Sequence, residues 1–170
     1  GALSEKAEGI NILIHGPPGT GKTEFARALA SGVGAHLHAV GEALDDGEEP
    51  DRFDRICAFH MGPRLLANSG SDVLLFDEME DFIGDVQPGA GDWFRGREGS
   101  KVFVNRLVET NPVPVIWTTN AIGNVDPAIL RRMSFVLKLD LPSRETALRM
   151  LDRVAREEGV GLSAQWETLI

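Results

Sequence analysis

Residues 10–23 read INILIHGPPGTGKT, and no other stretch of the 170-residue chain constrains its fold as tightly. Residues 10–15 carry four apolar side chains in six, the pattern of a strand buried on both faces of a parallel sheet. The next eight residues are Gly16, Pro17, Pro18, Gly19, Thr20, Gly21, Lys22 and Thr23, which match G-x-x-x-x-G-K-[ST] at every fixed position. Helix-forming sequence follows at once, over residues 23–30. Strand, glycine turn and helix in that order make an anion cradle. Gly19 and Gly21 let the backbone turn its N–H groups inward. The helix that starts there adds the partial positive charge of its N-terminus. Lys22 supplies a cation for the β- and γ-phosphates of a nucleotide, and the Thr23 hydroxyl supplies an oxygen for its Mg²⁺.

Four further runs read as strands: 35–40, 72–77, 113–118 and 135–140. Helical patterns lie between them. Residues 52–67 place Phe53, Ile56, Cys57, Met61 and Leu65 at mostly helical spacing. Residues 100–109 open on Ser100 as an N-cap and set Val104, Leu107 and Val108 on one face. This alternation predicts an α/β fold with a parallel five-stranded sheet flanked by helices. After Pro142, Ser143 caps a helix with an apolar stripe of Ala147, Leu148, Leu151, Val154 and Ala155, which Gly159 ends. Another helix is expected from Ser163. Residues 1–142 are therefore expected to form the α/β core, and 143–170 the beginning of a helical subdomain that stays incomplete within the chain.

Residues 73–78, VLLFDE, are four apolar positions ending in two carboxylates. A strand with an acid at its C-terminal end delivers it to the crevice where α/β sheets bind ligands. Asp77 is expected to hold Mg²⁺ through water, and Glu78 to polarise the water that attacks the γ-phosphate. The bland alternative is an acidic pair that merely opens a helix. Residues 115–120, VIWTTN, end on Asn120, placed either to bond that water or the γ-phosphate or simply to cap a turn. In DPAILRRM, residues 126–133, Asp126 caps, Pro127 takes the first helical position, and Arg131 and Arg132 follow. Arginine suits a clamp on a phosphoryl group in the transition state, although two solvated arginines would be unremarkable.

Composition narrows the partners. Lys plus Arg is 17 and Asp plus Glu is 26, a net charge of −9, which argues against a general nucleic-acid binder. Residues 1–92 hold 17 acids and 6 bases, or −11; residues 93–170 hold 9 acids and 11 bases, or +2. A single cysteine, Cys57, excludes an intrachain disulfide and reads as a buried small hydrophobe. His36, His38 and His60 read as polar groups at core edges rather than metal ligands, and Met61, Met79, Met133 and Met150 as packing residues. No run of about 18 apolar residues is present, so no membrane span is expected. The polar, acidic start is not a signal peptide, and the expected compartment is the cytoplasm.

GPPGTGKT, LLFDE, WTTN and DPAILRRM, in this order and spacing, resemble the AAA+ ATPases over residues 10–160. The resemblance implies a P-loop NTPase fold, with residues 16–23 as Walker A, Asp77 and Glu78 as Walker B, and Asn120 as sensor 1. It implies a homo-oligomeric ring, commonly a hexamer, in which Arg131 or Arg132 reaches a neighbour's nucleotide as the arginine finger. It implies a helical lid, of which residues 143–170 are the truncated beginning, without the sensor-2 arginine. The implied activity is ATP hydrolysis with Mg²⁺, coupled to remodelling a macromolecule, a protein rather than a nucleic acid. A nucleotide-dependent assembly switch, a DNA-associated loader with little hydrolysis, and a small-metabolite phosphotransferase are the alternatives. Glu78 favours turnover over the switch; the Asp77–Glu78 pair, Asn120 and the paired arginines count against the phosphotransferase, and the net charge of −9 against the loader.

Two stretches depart from the family or go beyond it. Residues 41–51, where protein-threading members carry an aromatic pore loop, hold no aromatic and five acids between Asp45 and Asp51. That composition argues against gripping a threaded chain. Trp93 and Phe94 lie among Gly84, Gly89, Gly91, Gly96 and Gly99. They are expected either to touch a substrate or neighbouring subunit, or to pack on their own domain.

Overall fold

The computed structural model describes residues 9–40, 52–67, 71–79 and 105–159. It divides into two units, Gly1–Leu139 and Asp140–Ile170. In the first unit the order is β1 (Asn11–His15), α1 (Lys22–Gly32), β2 (His36–Ala39), α2 (Arg52–Leu66), β3 (Asp72–Phe76), β4 (Val115–Thr119), α3 (Pro127–Leu130) and β5 (Phe135–Lys138). Residues 105–109 are also helical. The strands form one parallel five-stranded sheet, ordered β2-β3-β4-β1-β5, as the alternating pattern predicts. The chain leaves β1 toward the far edge and returns through β3 and β4. The C-terminal ends of β1, β4 and β3 therefore stand side by side, at the switch point where such sheets bind ligands.

Four strands fall inside the stretches expected of them, and β4 is shifted. It begins after Pro114, which has no N–H to give a ladder, and runs on to Thr119. That extra residue brings β4's polar end level with the loops after β1 and β3.

The three central strands are buried on both faces, which is why they read as continuous apolar runs. Leu13, Leu74, Phe76, Val115 and Trp117 pack with Phe59 of α2 and with Val108 and Ile129. Ile12, Ile14, Val73, Leu75 and Ile116 pack with Ala26 of α1. Phe59, Phe76 and Trp117 form an aromatic cluster, with Phe59 4.7 Å from Trp117 and 5.6 Å from Phe76 between centroids. At the opposite end of the sheet a buried polar knot fixes the strands. The Trp117 Nε1–H donates to Asn11 Oδ1 at 3.0 Å, and Asn11 Nδ2 donates to the Val108 carbonyl at 2.7 Å.

In the second unit, α4 (Arg144–Glu157) starts at Ser143, whose Oγ accepts from the Thr146 amide at 3.3 Å. Gly159 follows its end in the left-handed conformation, φ 69°.

Several expectations need correcting. Met61 and Met150 are 58% and 57% exposed and do not pack in a core, whereas Met79 is fully buried. Met61 and Leu65 are four residues apart on α2 and share its outward face. Cys57 is only half-buried. His36 is exposed, and His38 Nε2 lies 2.8 Å from Asp72 Oδ1. Ser100, the acidic stretch 41–51, Trp93, Phe94 and the helix expected from Ser163 lie outside the described residues.

Candidate functional site

The glycine loop is shaped by contacts that admit few other residues. A Cβ on Gly16 would lie 1.9 Å from the Leu139 carbonyl oxygen, so the chain passes β5 only because this residue is glycine. The Gly16 amide donates to the Thr119 carbonyl at 3.2 Å, which ties the loop's start to the end of β4. Gly19 and Gly21 have φ of 78° and 81°, the left-handed region, and nothing lies within 4 Å of where their Cβ atoms would be. The Thr20 hydroxyl donates to the Pro17 carbonyl at 2.8 Å and braces the bend. Pro17, Pro18 and Gly19 are exposed at its tip.

Gly21 is the N-cap of α1, and the Phe25 amide closes the first turn onto its carbonyl at 2.8 Å. Lys22 is the first helical residue and is 8% exposed. A buried ammonium needs acceptors. Lys22 Nζ donates to the carbonyls of Gly16 at 2.9 Å and Pro17 at 3.0 Å, and to Asn120 Oδ1 at 2.7 Å. Lys22 and Asn120, 98 residues apart, thus meet at one point above β1 and β4.

The acidic turn lies on the other side of β4. Regular pairing of β3 ends at Phe76 opposite Trp117. Asp77 Oδ2 accepts from the Thr23 hydroxyl at 2.9 Å. Its Oδ1 accepts from the Thr118 hydroxyl, and its backbone carbonyl accepts from the Arg55 guanidinium. Arg55 also lies 4.8 Å over the Phe76 ring. Glu78 is exposed and has φ 54°, alone in the left-handed region among the described residues other than glycine. The Glu78 amide donates to Thr118 Oγ1 at 3.1 Å, and the Met79 amide to the Thr118 carbonyl at 2.9 Å.

Thr23 and Asp77 present two oxygen donors to one spot, the donor chemistry that Mg²⁺ takes, so the residues present fit that ion. The arginines are placed differently from each other. Arg132 is half-buried; its Nε donates to Glu109 Oε1 at 2.7 Å and an NH group to the Ala128 carbonyl at 2.6 Å. Arg131, at the C-cap of α3, is exposed. Asp126 caps that helix as its sequence predicts, accepting from the Ala128 amide at 2.8 Å.

Two residues at the site were not singled out from the sequence. Thr118 sits inside WTTN, where a threonine reads as an ordinary strand residue. Arg55 lies in the first turn of α2 with no motif around it.

A glycine loop between strand and helix, a buried lysine at the helix start, and an acid at the neighbouring strand end define a P-loop nucleotide-binding domain. The model of the ATPase family associated with various cellular activities (AAA) matches residues 12–141, and the chain belongs to that family. It is 31% identical over 159 residues to a probable inactive ATP-dependent zinc metalloprotease, FTSHI 4, chloroplastic, of Arabidopsis thaliana, covering 86% of this chain and 18% of that protein. It is 29% identical over 150 residues to the replication factor C large subunit of Pyrobaculum arsenaticum, covering 87% and 32%. The crystal structure of the FIGL-1 AAA domain in complex with ADP superposes with a TM-score of 0.61 at 21% identity, covering 86% of this chain and 48% of that one. The chain therefore spans no more than about a third of these curated relatives. No helix among the described residues is long and apolar enough to cross a membrane.

Proposed function

We propose that this chain is the Mg²⁺-dependent, ATP-hydrolysing core of an oligomeric remodelling machine that acts on protein in the cytoplasm. The observation that carries the reading is the Thr23–Asp77 hydrogen bond, which joins two motifs 54 residues apart at one point. In this reading Lys22 gives up the Gly16 and Pro17 carbonyls for the β- and γ-phosphates, and the amides of residues 16–23 wrap them. Asn120, 2.7 Å from Lys22, sits at the γ-phosphate end and helps align water. Glu78, exposed on its left-handed turn, takes the proton of the attacking water. Thr23 and Asp77 would hold Mg²⁺, which would neutralise phosphate charge when bound.

A neighbouring subunit completes the site with Arg131. Arg132 is the weaker candidate for that finger, because it already bonds Glu109 and the Ala128 carbonyl. The net charge of −9 favours a protein over a nucleic acid as the remodelled partner.

The deciding experiment is ATP turnover per molecule against protein concentration, for wild type and Arg131→Ala, with GTP as the comparison. The wild-type rate rises with concentration, and Arg131→Ala lowers the plateau by roughly 10³-fold or more, the scale of an arginine supplied in trans. Rapid turnover by a demonstrable monomer would remove the trans site.

A further inference from the structure

We propose that Thr118 is a positioning residue whose single hydroxyl sets both carboxylates of the acidic turn, aiming Asp77 at the metal side and Glu78 at the water side. The inference rests on the roles just given to Asp77 and Glu78. Thr118 is fully buried at the C-terminal end of β4, with Thr119 and Asn120 following it. Its hydroxyl hydrogen goes to Asp77 Oδ1, and its oxygen accepts the Glu78 amide at 3.1 Å. Donor and acceptor capacity are thus both engaged by consecutive residues of one turn.

Each bond has a geometric consequence. With Oδ1 held by Thr118, the second carboxylate oxygen, Oδ2, faces Thr23 at 2.9 Å. A carboxylate without that tether would rotate about its side-chain bonds and present either oxygen. The amide bond falls on the one residue held at φ 54°, a conformation that costs a non-glycine residue energy unless its surroundings impose it. The Met79 amide on the Thr118 carbonyl, 2.9 Å, closes the turn behind Glu78. Three successive residues are therefore clipped to Thr118 where regular β3–β4 pairing has ended.

β4 lies between β3 and β1 in the sheet. Its end reaches the acidic turn through Thr118, and the glycine loop through the Thr119 carbonyl and Asn120. Thr118 fixes one carboxylate pair relative to a strand that also carries the loop's anchors.

The test uses Thr118→Val, which keeps the branched shape and loses the hydroxyl, and Thr118→Ser, which keeps the hydroxyl and loses the methyl. The first readout is the Mg²⁺ concentration that half-saturates its effect on binding of a fluorescent ADP analogue, followed without turnover. Thr118→Val raises that midpoint about tenfold, a single lost charge-assisted bond, and leaves Mg²⁺-free nucleotide affinity within about twofold. The second readout is ATP turnover at saturating Mg²⁺: Thr118→Val lowers kcat about tenfold or more at unchanged KM. Thr118→Ser restores both. An unchanged Mg²⁺ midpoint in Thr118→Val overturns the proposal, and so does a serine variant as impaired as the valine one, because packing alone would then explain the loss. Should Thr118→Val lose its cooperative melt, Thr118→Cys, with its poorer donor, is read in the same way. A wild type that binds nucleotide but never hydrolyses ATP would sink the hydrolysis reading, while the Mg²⁺ midpoint still decides Thr118.

Discussion

At the scale of single residues, Glu78 carries a conflict between stability and chemistry. Its backbone is in the left-handed region at φ 54°, where a Cβ is unfavourable by about 1–2 kcal/mol and glycine is not penalised. A carboxylate is nevertheless kept there, exposed and next in sequence to Asp77. Strain of this kind collects where a side chain is needed in one place. Two substitutions separate the contributions. Glu78→Gln keeps the strain and removes the base; Glu78→Gly removes both. Both are expected to lower turnover by roughly 10²–10⁴, the range for a general base. Only Glu78→Gly is expected to gain stability, by about 1 kcal/mol in a denaturant titration. A glycine variant less stable than wild type would show that the side chain, not the backbone, dominates at this position.

Among the elements, β4 does the most to place the site, and its middle and its end have different chemistry. Its middle is tied by Trp117, whose indole reaches down to Asn11 at the start of β1 and whose ring packs on Phe59 and Phe76. Trp117→Phe keeps most of the ring packing but leaves Asn11 Oδ1, buried at 1% residue exposure, without its indole donor. The expected cost is about 1–3 kcal/mol in unfolding free energy, with nucleotide affinity little changed because the knot lies at the far end of the sheet. A variant as stable as wild type would mean that water replaces the donor.

The same element shows what a sequence can and cannot announce. The apolar runs of β1, β3 and β4 were legible because two buried faces leave no alternation to confuse. The glycine loop and its lysine were legible because their spacing is dictated by a phosphate. The end of β4 was not read as more than a strand, since a threonine pair before Asn120 has the same appearance whether its hydroxyls are structural or poised. Arg55 was missed for a related reason: its partner is a backbone carbonyl, which leaves no mark in the sequence. Met61 was misplaced because helical spacing identifies a face without saying which side of α2 meets the sheet.

At the scale of the whole molecule, charge is unevenly distributed along the chain, −11 over residues 1–92 and +2 over residues 93–170. A ring built head to tail brings unlike faces together, and unlike charge suits such contacts. The structure narrows which cations can serve. In α4, Arg153 bonds Glu157 at 2.8 Å and Arg156 bonds Asp152, so these two arginines already face carboxylates one turn away. In the first unit, Arg132 is paired with Glu109, whereas Arg131 is exposed on the C-cap of α3. If the proposed trans site uses Arg131, assembly should weaken as salt screens charges beyond about 10 Å at 0.1 M. Arg131→Glu should then reduce the nucleotide-dependent assembled fraction in light scattering at low salt, with wild type and variant converging as salt rises. Arg153→Glu should lose the intrahelical pair but change assembly little. Assembly that ignores salt, or that Arg131→Glu leaves intact at low salt, would assign the interface to apolar contact instead and leave the charge split without a role in association.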